Sequence, residues 1–152
     1  AERTGWKVVN AGISGETSSQ IAARLPGLLD EHQPALVILC AGGNDWLQRK
    51  SAQAVQADIN GMLQVCKSQA IPVLLVAVPE LSLSAALTGR MKDHAIYKAL
   101  AEDKKVPLLA DAWSHVLSDS VLRADQVHVN AAGYARFTDL LVAQVKASGF
   151  LT

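Results

Sequence analysis

The stretch Pro34-Ala35-Leu36-Val37-Ile38-Leu39-Cys40-Ala41-Gly42-Gly43-Asn44-Asp45 is apolar from Ala35 to Ala41 and turns polar directly afterwards. A short apolar run without alternation, opened by a proline and closed by two glycines, predicts a strand buried on both faces, as in parallel sheets. Pro72-Val73-Leu74-Leu75-Val76-Ala77-Val78 has the same character. Val106-Pro107-Leu108-Leu109 predicts a further strand, and Lys7-Val8-Val9-Asn10 one near the start. Helical stripes lie between them. Ile21, Leu25, Leu28 and Leu29 fall on one helical face, behind a cap at Ser18 or Ser19, with Pro26-Gly27 kinking or breaking the helix. Val55, Ile59, Met62, Leu63 and Cys66 mark a second helix, Met91 to Asp103 a third, and Asn130 to Ser148 the last, with Phe137, Leu140, Leu141 and Val145 on its apolar face. Glu80 to Gly89 reads as a loop or a broken helix.

Strand and helix alternate without a repeat, a low-complexity tract or a linker. That predicts a single α/β domain over residues 1–152, a mostly parallel sheet with helices on both faces. The composition agrees: 50% of the residues are hydrophobic and 18% charged, a globular balance rather than a disordered one. With 14 basic and 14 acidic residues and no basic run, nucleic acid and anionic membrane surfaces are unlike partners for this chain. Its longest apolar stretch, Ala70 to Pro79, is too short to span a bilayer. Cys40 and Cys66 read as buried free thiols, in a strand and on a helix, with a disulfide as the alternative; neither has metal-site spacing. The first residues, Ala1-Glu2-Arg3-Thr4-Gly5-Trp6, lack an apolar core of a signal sequence and an initiator Met, so the chain reads as processed, trimmed or partial.

In open α/β sheets, ligands bind beyond the carboxyl ends of the strands. Three polar clusters fall there. Asp125-Gln126-Val127-His128 precedes the last helix. An Asp three residues before a His lets the carboxylate accept a hydrogen bond from Nδ1–H, which fixes the tautomer and leaves Nε2 to accept a proton from a hydroxyl; a helix-entrance loop with a surface His is the alternative. Gly42-Gly43-Asn44-Asp45 follows a strand, where glycines allow close backbone approach and an Asn amide can face a developing oxyanion; the same residues also make a plain turn. Gly15, in Ser14-Gly15-Glu16-Thr17, offers a backbone N–H ahead of a helix, or is simply a turn glycine.

Together the three clusters resemble the SGNH (GDSL-like) serine hydrolases. Val8 to Thr17 looks like that family's second block, with Gly15 as the oxyanion glycine. Gly42-Gly43-Asn44-Asp45 looks like its third, with Asn44 as the oxyanion asparagine, and Asp125 with His128 like its fifth. The branch that the chain is most similar to is the bacterial thioesterase/lysophospholipase/arylesterase type, through Ile13-Ser14-Gly15-Glu16-Thr17, Ala23-Arg24-Leu25-Pro26 and Asn130-Ala131-Ala132-Gly133-Tyr134. Val129 departs from the Pro common after that His. The resemblance implies a flavodoxin-like α/β/α sandwich, ester or thioester hydrolysis through an acyl-enzyme, and no metal or organic cofactor. It also implies, by family habit, a periplasmic or secreted location.

One block of the family, a strand followed by Gly-Asp-Ser, has no counterpart in these 152 residues. Ser14 sits in the second block's own loop and lacks the G-x-S-x-G elbow. In the family the strand before that serine lies between the counterparts of Lys7–Asn10 and Leu36–Ala41. Both are therefore expected to lack a neighbour here, and an N-terminal fragment carrying the serine is an expected partner. The expected substrate is a small acyl ester or thioester, with Trp46, Leu47, Leu81 and Leu83 lining an acyl groove or merely covering the core. A carbohydrate deacetylase on the same scaffold and a non-catalytic module without a nucleophile are the competing readings. A flavodoxin-like nucleotide binder is disfavoured by the lack of a glycine-rich phosphate loop. His32, His94 and His115 read as surface residues on helices.

Overall fold

A computed structural model describes residues 4–80, 90–125 and 128–150. The elements run α1 (Ser18–His32), β1 (Val37–Leu39), α2 (Gly43–Leu47), α3 (Ala52–Ser68), β2 (Val73–Val76), α4 (Ala95–Lys104), β3 (Leu108–Leu109), α5 (Ala112–Ser118) and α6 (Ala131–Ala147). The strands form one parallel sheet in the order β1-β2-β3, with Val37 opposite Val73 and Leu75 opposite Leu108. This is the expected α/β fold: a parallel sheet flanked by helices.

The pleat sorts the core into two. Leu39, Val73, Leu75 and Ala77 face α1, α3 and α4, where Val55, Ile59, Met62, Leu63 and Cys66 of α3 are all buried. Val76 and Leu109 face the other way, onto Ala112 and Trp113 of α5 and Phe137, Leu140 and Leu141 of α6. This second layer stops short of β1: Ile38 is 43% exposed although it sits in a strand of the central sheet. On both its open edge and one face, β1 is therefore uncovered.

Several expectations are corrected. Lys7–Asn10 forms no strand; Val8 and Val9 are 60% and 47% exposed. A strand needs a partner for its backbone groups, and among the described residues none pairs with this segment. The strand expected at Ala35–Ala41 is reduced to three residues, and Cys40 is exposed rather than buried, for the same reason; Cys66 is buried and both thiols are free. α1 runs unbroken through Pro26, which with Gly27 lies on the exposed side, so the missing N–H disturbs no packed contact. Its cap is Thr17, not Ser18 or Ser19: the Thr17 N–H donates to Gln20 Oε1 at 2.9 Å, half of a capping box. The expected polar loop after Ala41 contains α2, and the third helix starts at Ala95 with His94 as its cap. α5 occupies a stretch in which only His115 was expected on a helix. Glu80 is described as non-helical, and the rest of the expected loop, 81–89, lies outside the described residues.

Candidate active site

A cleft of about 600 Å³ opens beside β1, and Asn44 and His128 both line it. Each reaches it from a different element. Asn44 stands in the first turn of α2, which starts at the strand end because Gly42, at φ 120°, turns the chain sharply. A side chain at Gly42 would collide with the Tyr97 hydroxyl, 2.1 Å from where its Cβ would lie. That hydroxyl donates to the Ala41 carbonyl at 2.6 Å, anchoring the strand end just before the turn. Burial pushes the Tyr97 hydroxyl well above its ordinary ionisation range.

His128 is held by its own loop. The Asp125 carboxylate accepts from the His128 backbone N–H at 2.9 Å, and both of its oxygens lie 3.0 Å from the ring Nδ1. The loop closes through the His128 carbonyl, which accepts from the Ala124 and Asp125 N–H groups. Behind it, Asn130 caps α6 through Gly133 N–H at 2.9 Å and reaches back to the Val121 carbonyl at 2.8 Å. The side chains of His128 and Asp125 are 71% and 58% exposed, so the pair is formed but uncovered. The neutral ring that donates from Nδ1 presents a lone pair on Nε2.

Gly15 takes φ 85° in the loop before α1. That loop is tied to Asn44, whose Nδ2 donates to the Glu16 carbonyl at 2.9 Å. It is tied also to Asp45, buried, which accepts from Ser18 N–H at 2.7 Å and Ser18 Oγ at 2.9 Å. Ser18 Oγ contacts Asp58 as well, at 2.9 Å. Asp45 thus joins α2 to the start of α1, while the Ser18–Asp58 contact had no sequence signal. Nor did the Glu16–Arg24 ion pair at the cleft wall; both partners are ordinary helix-surface residue types.

The structure does not gather the expected acyl-groove residues. Trp46 is 9% exposed and stacks on His94 with ring centroids 4.2 Å apart, packed into the core away from the cleft lining. Its position one helical turn from the glycine turn points it inward. Leu47 is 54% exposed and also absent from that lining, and Leu81 and Leu83 lie outside the described residues. His94 is half-buried as the α4 cap rather than a free surface residue, whereas His32 and His115 are exposed. The cleft has aromatic residues that were not expected there: Trp113, flanked by Phe137 at 3.7 Å and Tyr134 edge-on at 6.1 Å. Among the described residues, no three His, Cys, Asp or Glu side chains gather as a metal site would need, and no helix is long and apolar enough to cross a membrane.

The chain is similar to known proteins in sequence and in fold. "Thioesterase 1/protease 1/lysophospholipase L1" of Escherichia coli (strain K12) is 35% identical over 142 residues, covering 91% of this chain and 67% of that protein. "Arylesterase" of Vibrio mimicus is 31% identical over 113 residues, covering 73% of this chain and 55% of that protein. This chain therefore spans about two thirds of the length of the first and just over half of the second. The crystal structure of TesA superposes with a TM-score of 0.80 at 30% identity, covering 93% of this chain and 78% of that one. The model of the GDSL-like lipase/acylhydrolase family matches residues 1–136, and the chain belongs to that family of carboxylic ester hydrolases.

Proposed function

We propose that this chain carries the base and the oxyanion donors of a serine acyl-ester hydrolase of the arylesterase, acyl thioesterase or lysophospholipase type. The observation that supports this best is the Asp125–His128 pair, already formed at 3.0 Å, whose His128 lines the same cleft as Asn44. Among the described residues, no serine lines that cleft. The nucleophile in this reading is a serine on an N-terminal fragment that seats as a strand along the open edge of β1.

In the reaction, the serine oxygen attacks the acyl carbon and its proton passes to His128 Nε2. Asp125 holds the ring and stabilises its cationic form. The carbonyl electron pair moves onto oxygen, where Gly15 N–H and the Asn44 amide donate to it. Collapse expels the alkoxide or thiolate, which takes the proton from His128. Water then attacks the acyl-serine with His128 as base, releasing the acid and restoring the serine hydroxyl.

Intact mass spectrometry with a fluorophosphonate probe tests this. The complete gene product is expected to gain one phosphonyl adduct and to hydrolyse p-nitrophenyl and acyl thioesters; residues 1–152 alone are expected to stay unlabelled. A complete product that neither labels nor hydrolyses esters overturns the proposal. That result would favour the second reading, a non-catalytic module, for which the lack of a serine among the described lining residues speaks.

A further inference from the structure

We propose, building on that reading, that Arg24 is the positioning residue of the oxyanion hole: its guanidinium sets the loop that carries Gly15 and, through it, the amide of Asn44. Arg24 projects from α1 and spans the loop from end to end. Its Nε lies 3.0 Å from both Glu16 carboxylate oxygens, its Nη2 donates to Glu16 Oε1 as well, and the same Nη2 donates to the Ala11 carbonyl at 2.8 Å. Residues 11–16 contain no helix or strand. Apart from Arg24, the hydrogen bonds that hold them among the described residues are the Asn10–Gly12 contact at 3.1 Å, a weak Glu16–Ile13 turn bond at 3.3 Å, and that of Asn44.

The geometry gives this clamp a consequence beyond stability. An asparagine amide has two N–H groups. One of Asn44's is taken by the Glu16 carbonyl, which fixes the plane of the amide and so the direction of the other. Glu16 is also the residue next to Gly15, so its movement displaces both oxyanion donors at once. Arg24 and Glu16 are only partly exposed, with side chains 30% and 14% accessible, and both line the cleft. The planar fork of an arginine fixes a carboxylate in two dimensions, which a lysine's point charge does not.

Two measurements test the proposal. In ¹⁵N-labelled residues 1–152, one Asn44 side-chain proton is expected to exchange at least about tenfold faster in Arg24→Gln than in the parent. In the complete gene product, Arg24→Gln is expected to lower kcat on p-nitrophenyl esters about 10- to 100-fold with KM within about twofold, and Arg24→Lys to recover only a small part. An unchanged Asn44 amide overturns the proposal, as does a raised KM at unchanged kcat, which would make Arg24 a substrate contact. An inactive parent overturns the esterase reading instead, and the Asn44 exchange then decides the role of Arg24 alone.

Discussion

The Asp125 carboxylate engages His128 twice, taking its backbone N–H at 2.9 Å and meeting ring Nδ1 with both oxygens at 3.0 Å. The backbone bond fixes where the ring starts, and the bidentate contact fixes its plane and tautomer. This pairing makes Asp125→Asn a test of orientation rather than of folding, because an amide oxygen can still accept the backbone N–H. In ¹⁵N–¹H spectra of residues 1–152 at alkaline pH, the parent is expected to show the Nδ1–H tautomer and Asp125→Asn a mixture. In the complete gene product the same change is expected to lower kcat by about 10³- to 10⁴-fold, as when the orienting acid of a triad is replaced. Equal kcat values would remove Asp125 from the mechanism.

Tyr97 yields a pH prediction. The folded protein holds its hydroxyl above the ordinary value of 10.0 because the side chain is wholly buried. The unfolded chain ionises first, so this contribution is fully present below about pH 10 and is lost as pH rises further. Tyr97→Phe is expected to cost about 1 kcal/mol at neutral pH, by leaving the Ala41 carbonyl without its donor. Above pH 10, the parent's stability is expected to fall more steeply than the variant's, by up to about 1.4 kcal/mol per pH unit. Urea titrations from pH 8 to 11 give both numbers, and parallel curves throughout would show that Tyr97 ionises freely in the fold.

Two glycines on helices should behave oppositely. At Gly133 an added Cβ would stand 2.1 Å from the Leu122 carbonyl oxygen and 2.8 Å from the Val129 Cβ. Gly133→Ala is therefore expected to lose about 1–3 kcal/mol and to push α6 away from the loop that holds His128. Gly27, on the exposed side of α1, has open space where its Cβ would be. Gly27→Ala is expected to gain about 0.5–1 kcal/mol from helix propensity. Thermal melts of the two variants should move in opposite directions.

Legibility in the sequence followed the range of the forces involved. The α3 stripe was readable residue by residue, since Val55, Ile59, Met62, Leu63 and Cys66 are all buried against partners that exist. Lys7–Asn10 has an equally good strand pattern and is no strand, because pattern reports what a segment would bury and not whether a neighbour is there. Cys40 fails for that reason too. The D-x-x-H spacing was enough for the Asp125–His128 bond, a local contact inside one loop. Trp46 was misplaced because four residues of helix turned a ring expected at the cleft into the core beside His94. Arg24 and Ser18 act across 8 and 27 positions, on Glu16 and Asp45, and such contacts leave no mark in composition or periodicity.

The open edge of β1 can be read directly. Val37 N–H donates to the Pro72 carbonyl at 3.0 Å, toward β2. Backbone groups of successive strand residues point to opposite sides, so the N–H groups of Ile38 and Cys40 face the cleft. In residues 1–152 these two amides are expected to exchange at least about 100-fold faster than those of Val37 and Leu74, since among the described residues no backbone carbonyl accepts from them. The Cys40 residue is exposed and Cys66 buried, so a maleimide is expected to modify Cys40 ahead of Cys66. In the complete gene product a strand seated beside β1 would protect Ile38 and Cys40 and slow the maleimide reaction together. Fast exchange persisting there, in a product that hydrolyses esters, would mean that the serine reaches His128 by a route other than the β1 edge.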